Sequence, residues 1–183
     1  MTLHDPDPTP MAYLESLIAD VHDFPKPGIV FKDITPMLSD ARALALAVEL
    51  MANPYRGTGI TAVVGAESRG FIFGTAIAQA LSAGFVPVRK PGKLPREVHG
   101  VDYALEYGTD RLEMHRDAIG PGDRVLLVDD LLATGGTMAA ACDLVKAAGA
   151  EIAALTVFIE LTALGGVKKL QGHADRVHAV LRY

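Results

Sequence analysis

The sequence predicts a single α/β domain: a mostly parallel central sheet with helices on both faces, a flexible β-like lid and a short N-terminal addition. Three observations lead there. Strand-like apolar runs alternate with helical patterns of about three to four turns, the rhythm of a parallel sheet covered on both faces. The 183 residues suffice for one well-buried domain and are short for two of typical size. Hydrophobic residues make up 50% and charged residues 21%, the balance of a globular chain and not of a disordered one.

Each element has its own signal. In MAYLESLIADVHDF, Met11, Leu14, Leu17, Ile18 and Val21 recur at helical spacing and predict an amphipathic first helix. FPKPGIVFKDITPML reads as irregular, with a short extended GIVF between proline-rich turns and Pro36 early in the next turn. SDARALALAVELMANPY predicts a helix capped by Ser39. GITAVVGAESRG is strand then turn, and FIFGTAIAQALSAG is a helix ending near Gly84. FVPVRKPGK gives a short strand and a basic loop. Residues 94–116 hold β-like stretches around VDYALEY and RLEMH with Gly108 between them, so a hairpin or mobile flap is expected. DRVLLVDD is a buried strand, GTMAAACDLVKAAGA a helix ending at Gly149, EIAALTVFIEL another strand and RVHAVLRY a short last one. Residues 1–183 are expected to form one domain, with 1–38 and 89–116 as additions to the sheet.

Composition narrows the function classes. Lys+Arg 17 against Asp+Glu 22 gives a net charge of −5, which offers no support for broad nucleic-acid binding. The start, MTLHDPDPTP, lacks the basic residues and apolar run of a signal peptide, and the apolar runs elsewhere are far shorter than a membrane span. A single cysteine, Cys142, permits no intrachain disulfide and reads as a small core residue; a cytoplasmic protein is expected.

The chemistry concentrates in residues 125–137, VLLVDDLLATGGT. An apolar strand VLLV is expected to end by presenting Asp129 and Asp130 at the carboxyl edge of the sheet, where ligands of such folds gather. The following turn supplies backbone N–H groups from Ala133 to Thr137. Gly135 and Gly136 can bend without a Cβ clash, and the next helix adds its positive end. Thr134 and Thr137 can donate hydroxyl bonds to the same anion. The carboxylates suit vicinal hydroxyls instead. Phosphate on the amides and a diol on the carboxylates describe a ribose 5-phosphate. There is no GxxxxGK[ST] and no GxGxxG. On spacing alone, a capped strand-to-helix turn with incidental aspartates remains an alternative.

Two further stretches are positively charged. Ser68 and Arg69 lie in GAESRGF between strand and helix, and Arg89, Lys90 and Lys93 crowd one loop. They suit a second, more highly charged anion, although a surface arginine and a solvated basic turn would look the same.

VLLVDDLLATGGT resembles, over its whole length, the phosphoribosyl diphosphate signature of the type I phosphoribosyltransferases: four hydrophobic residues, two acidic ones and a Thr-Gly-rich loop. DFPKPGIVFKDITPML, GAESRGFIFG, VPVRKPGKLP, YALEYG and VFIEL resemble the adenine-specific branch of that family, in family order between residues 23 and 161. The resemblance implies transfer of a 5-phosphoribosyl group from 5-phosphoribosyl 1-diphosphate to adenine, giving AMP and diphosphate. It implies Mg²⁺ carried mainly by the diphosphate substrate, with no metal held tightly by protein ligands, and a homodimer.

The resemblance also distributes roles. Asp129 and Asp130 would hold the ribose hydroxyls while 133–137 wrap the 5-phosphate. Ser68, Arg69, Arg89, Lys90, Lys93 and Tyr107 would receive diphosphate, with a cis peptide at Glu67–Ser68. Glu106, in the lid, would be the catalytic acid/base. Val30 and Lys32 would pair with adenine through main-chain atoms, Phe31 packing nearby and Leu161 lying on the opposite purine face. Lys32 replaces the arginine common in animal members. Glu106 alone could be a solvent-facing strand residue, and Phe31 alone a core residue. A transferase for another nucleobase, or a nucleotide-sensing regulator without activity, are the competing functions.

Overall fold

The computed structural model describes residues 9–104 and 109–183. Contacts group the chain into two compact units, Met1–Val48 and Glu49–Tyr183, the division falling inside one helix.

In the first unit, helix α1 (Pro10–Glu15) is capped by Thr9, whose hydroxyl accepts the Ala12 N–H. The first helix is therefore much shorter than its apolar spacing predicts. Strand β1 (Ala19–His22) follows and pairs antiparallel with β2 (Val30–Asp33), from Ala19↔Asp33 to His22↔Val30. Val21 sits opposite Phe31 in this hairpin and takes no place on a helix face. Local periodicity over 11–21 loses to pairing with a strand ten residues on, a preference that β-branched Ile18 and Val21 favour. The extended GIVF is realised as β2. Short α2 (Thr35–Ser39) has Pro36 in its first turn, and α3 (Ala41–Ala52) follows. Asp40, not Ser39, caps α3: its carboxylate accepts the Ala43 N–H at 2.8 Å and also the Tyr13 hydroxyl at 2.8 Å. Ser39 closes α2 by donating to the Pro36 carbonyl.

The second unit is built on a five-stranded parallel sheet. Its strands are β3 (Ala62–Ala66), β4 (Gly84–Val88), β7 (Arg124–Leu132), β8 (Glu151–Glu160) and β9 (Val177–Arg182). They lie in the order β4-β3-β7-β8-β9, all pairs parallel. Between β4 and β7 in sequence, β5 (Val98–Ala104) and β6 (Thr109–His115) form an antiparallel hairpin, as the alternating segment 94–116 predicts.

Two helices cover opposite faces. Met138, Ala141 and Val145 of α5 (Gly136–Ala147) join Val125, Leu127, Leu155 and Val157 in one buried cluster. Phe73 of α4 (Gly70–Leu81) instead stacks on Phe158 of β8, ring centroids 5.5 Å apart, both fully buried. Residues 157 and 158 point to opposite sides of a strand, so α4 and α5 do too. α4 stops at Leu81, earlier than the glycine suggests. Ser82 takes the left-handed cap conformation at φ +55, and Gly84 opens β4. Gly149, at φ +80, does terminate the α5 turn as expected. Cys142 is fully buried on α5, and burial pushes its thiol up to about 12, which leaves it inert.

β3 and β7 are adjacent, yet the chain leaves β3 toward β4 in one direction and β7 toward β8 in the other. This is a reversal of strand order, the place where an open parallel sheet forms a crevice at its carboxyl edge.

The Phe73–Phe158 stack ties α4 to the sheet. Phe73→Ala should cost about 3–5 kcal/mol, the usual loss for a fully buried aromatic. Urea unfolding should show a lower midpoint at unchanged slope.

Candidate active site

The crevice is an open cleft of about 540 Å³ lined by Glu67–Arg69 on one side and Asp129–Met138 on the other. Strand lengths create it. β7 pairs with β8 as far as Leu132↔Glu160, but with β3 only from Ala62↔Val125 to Gly65↔Val128. Beyond Val128 one edge of β7 has lost its neighbour, because β3 has turned away into Glu67–Arg69. The expected strand DRVLLVDD runs two residues further, to Leu132, so Asp129 and Asp130 lie within β7 and are 9% and 6% exposed.

Adjacent strand residues face opposite ways, and the two carboxylates have different partners. Asp130 forms an ion pair with Arg69, Nε to Oδ2 2.8 Å. Asp129 accepts the Asp130 N–H at 2.9 Å and lies against the first residue of α4. A Cβ on Gly70 would come within 2.9 Å of Asp129 Oδ1. Gly70 is thus a site-building residue that sequence reasoning missed; the signal was a glycine opening a helix directly after SR. Burial, and next the neighbouring Asp130 charge, hold the Asp129 carboxyl well above its usual range.

The turn after β7 leads into the N-terminus of α5. Gly135 is left-handed at φ +81, and the first helical bond of α5 runs from Ala139 N–H to Gly135 C=O. By helix geometry the amides of Gly136, Thr137 and Met138 precede any intrahelical acceptor, and they sit at the positive helix end. Ala133, Thr134 and Thr137 line the same cleft, Thr134 exposed and Thr137 half-buried.

Ser68 and Arg69 face this loop across the cleft, and the Glu67–Ser68 peptide is cis, as the resemblance implies. The basic loop is not among the lining residues. Arg89 Nε binds Glu67 Oε2 at 2.9 Å, so it reaches the cleft wall through a carboxylate that sequence reasoning did not single out. Lys90 pairs with Asp110 of β6, which also accepts the Tyr103 hydroxyl at 3.0 Å, and Lys93 is exposed in the loop. Leu161 follows β8, and its N–H donates to Leu132 C=O at 2.9 Å, beside the cleft lining. Val30, Phe31 and Lys32 form β2 of the first unit. Phe31 stands edge-on to Phe24 at 5.2 Å and Lys32 pairs with Asp20 at 2.6 Å. Glu106 and Tyr107 lie outside the described residues. Among the described residues, no cluster of three or more His, Cys, Asp or Glu side chains is placed to hold a metal ion, and no helix is long and apolar enough to cross a membrane.

A parallel sheet with an acidic pair and a glycine turn at its strand-order reversal defines a phosphoribosyl-binding fold, and comparison with known proteins agrees. The phosphoribosyl transferase domain family matches residues 35–180. The adenine phosphoribosyltransferase of Methylococcus capsulatus is 57% identical over 173 residues, covering 94% of this chain and 100% of the relative. The crystal structure of adenine phosphoribosyltransferase from Rhodothermus marinus superposes with a TM-score of 0.91 at 53% identity, covering 96% of this chain and 99% of that one. The APRTase of Giardia lamblia, crystallised with 9-deazaadenine, gives 0.90 at 41% identity over 94% and 97% of the two chains. The chain belongs to the phosphoribosyl transferase family, in the branch of the adenine phosphoribosyltransferases. It is a transferase.

The buried Asp129 carries a stability cost that can be measured. Its carboxyl titrates above the ordinary 3.8, so between the two values the folded protein holds the extra proton. Stability from this group is complete below the ordinary value and is lost as pH rises through the raised one. Asp129→Asn should therefore raise the ligand-free melting temperature at pH 7 by a few degrees, roughly 2–4 °C per kcal/mol for this size. The gain should vanish toward about pH 4, where the parent carboxyl is itself neutral. An Asn variant no more stable than the parent at neutral pH would contradict it.

Proposed function

We infer that this enzyme transfers the 5-phosphoribosyl group from 5-phosphoribosyl 1-diphosphate to adenine, releasing AMP and diphosphate. The observation that carries the reading is the pairing, in one cleft, of buried Asp129 and Asp130 with the helix-capping turn Ala133–Thr137. Amides and a helix end favour the 5-phosphate; the carboxylates accept the two ribose hydroxyls. Adenine is assigned from the close likeness to adenine phosphoribosyltransferases over nearly the whole chain.

In the transfer, a bond forms between a purine nitrogen and ribose C1 while the C1–O bond to diphosphate breaks. Positive charge grows on the sugar and negative charge on the leaving group. Ser68 and Arg69 stand across the cleft from the phosphate loop, where the diphosphate end would reach. Arg69 is paired with Asp130. We assign it a second position: ribose hydroxyls take the Asp130 carboxylate and the guanidinium passes to diphosphate oxygens, neutralising the leaving group. Arg89, Lys90 and Lys93 are assigned to the same anion, and Tyr107 to the lid that covers it. Glu106 takes up the proton that the reacting purine nitrogen gives up. Val30 and Lys32 pair with adenine through their main chain, Phe31 packs nearby and Leu161 lies on the other face.

Mg²⁺ fits as a companion of the substrate. Among the described residues, Asp129 and Asp130 are the carboxylates lining the cleft opposite Glu67. Both aspartates would orient the ribose hydroxyls, and diphosphate oxygens, hydroxyls and water would hold the ion. The cation would supply charge neutralisation of the diphosphate. A cytoplasmic homodimer is the proposed form.

The assay is AMP and diphosphate production from adenine, phosphoribosyl diphosphate and Mg²⁺, against hypoxanthine, guanine and orotate. Adenine should be preferred by a large factor; comparable turnover of another base refutes the assignment. Within that assay Glu106→Gln keeps the side-chain size but removes acid/base capacity. Its single-turnover rate should fall by about 10²–10⁴-fold, with a smaller loss of adenine affinity. A rate within about threefold of the parent would remove Glu106 from the chemistry.

A further inference from the structure

We propose that Gly166 is a positioning residue for the phosphate loop: lacking a side chain, it lets the turn after β8 brace residues 133–135 from behind. The proposal rests on reading 133–137 as the 5-phosphate site. A Cβ on Gly166 would lie 2.3 Å from the Ala133 carbonyl oxygen and 2.9 Å from Leu132 Cγ. A Cβ on Gly135 would lie 2.8 Å from the Gly166 carbonyl oxygen. The two glycines thus permit backbone-to-backbone contact between loops from different strands. Ordinary carbon–oxygen contact is about 3.3–3.6 Å, so any side chain at 166 must displace a carbonyl by about 1 Å. The atom in the way is backbone and cannot swing aside as a flexible side chain would.

The brace is itself anchored. Thr162 donates both its N–H and its hydroxyl to the Tyr183 carbonyl, at 2.8 and 2.6 Å, and Tyr183 N–H bonds the Glu160 carbonyl at 3.0 Å. Gly165 N–H closes the turn on Thr162 C=O at 3.2 Å. The Leu161 N–H bond to Leu132 C=O joins the roots of the two loops. Downstream, the short helix α6 (Gly166–Lys169) is pinned by fully buried Leu170. Gly166 is buried and is not among the cleft-lining residues, so it acts through Leu132, Ala133 and Gly135. What it provides is preorganisation: the loop amides are aimed before the phosphate arrives.

The test compares Gly166→Ala with Gly165→Ala. Gly165, unlike Gly166, is left-handed, at φ +68, but a Cβ there would meet nothing within 4 Å, so it reports backbone strain without the collision. Ribose 5-phosphate binding is followed by calorimetry, alongside melting and steady-state kinetics. Gly166→Ala should weaken ribose 5-phosphate and raise KM for phosphoribosyl diphosphate by about 10–100-fold, the scale of a 1 Å misplacement. Its kcat at saturation should fall by a smaller factor. Gly165→Ala should melt lower yet keep both binding constants within about threefold of the parent. Unchanged affinity in folded Gly166→Ala, or equal losses in the two variants, overturns the proposal. Should Gly166→Ala fail to fold, amide exchange in the parent decides. Ribose 5-phosphate must slow exchange at 165–168 as well as at 134–137, and protection confined to 134–137 overturns the brace. A parent that binds no ribose 5-phosphate overturns the phosphate-site reading and the brace together; a parent that binds it while Gly166→Ala does too overturns the brace alone.

Discussion

Burying two adjacent carboxylates in the middle strand of a parallel sheet is the constraint around which this structure is arranged. A buried carboxylate must be neutralised, paired or hydrogen-bonded, and Asp129 and Asp130 divide those solutions between them. Asp130 has Arg69. Asp129 has a neighbouring backbone N–H and a raised pKa. Both solutions need β3 to stop at the right residue. Were β3 to pair with β7 beyond Val128, the turn carrying Arg69 could not enter the space beside Asp130. α4 must likewise begin on a glycine, since the Asp129 carboxylate occupies the space a side chain would fill. The acidic pair, the short strand and Gly70 are one feature.

The same logic governs the cations around the site. Arg69 rests on Asp130, Arg89 on Glu67 and Lys90 on Asp110. Exposed ion pairs contribute only about 0–1 kcal/mol, whereas a charge-assisted bond to phosphate is stronger and often bidentate. A polyanionic substrate can therefore draw Arg89 and Lys90 off their carboxylates at small cost. Arg69 differs from the other two because its partner is itself assigned to the substrate. Binding the sugar and releasing the guanidinium then become a single exchange.

The sequence made the sheet legible because its strands and helices follow local period and length, and β3, β4, β7, β8, β9, α4 and α5 all fall where those signals lie. The failures share a different cause. Residues 11–21 keep helical spacing throughout, but the helix stops at Glu15 and Ala19–His22 form half a hairpin, because the deciding interaction is with Val30–Asp33 and periodicity within the segment cannot reveal it. Asp40 displaces Ser39 as a cap because it also holds Tyr13, again a distant partner. The acidic pair and the glycine turn were visible as VLLVDDLLATGGT, since there the chemistry lies within thirteen consecutive residues. The carboxylates holding Arg89 and Lys90 were not visible. Each pair joins segments about twenty residues apart, Arg89 to the turn that follows β3 and Lys90 to β6. Gly70 and Gly166 announced themselves only as glycines; what each makes room for is an atom of another strand or loop.

A parallel sheet offers chemistry at one edge only, and here that edge is filled by the acidic pair and the phosphate turn. Neither contact reads a base. Selectivity has to come from segments added to the sheet, and this chain has two antiparallel hairpins of that kind, β1–β2 and β5–β6. A two-stranded hairpin leaves one main-chain edge of each strand without a sheet neighbour, so its carbonyls and amides can serve as acceptors and donors. The 6-amino group and N1 of adenine form a donor beside an acceptor, the complement of an extended main chain. The proposed assignment of adenine to the backbone of Val30 and Lys32, which rests on the family resemblance, is compatible with this. Under that proposal a lysine at 32 would serve as well as an arginine, since its side chain is engaged with Asp20 and the main chain would make the recognition. The ribose-phosphate end depends on side-chain identity at 129 and 130 and on missing side chains at 70, 135 and 166. The base end is assigned by the proposal to the path of a strand, and the signature that identifies the family carries no information about the base.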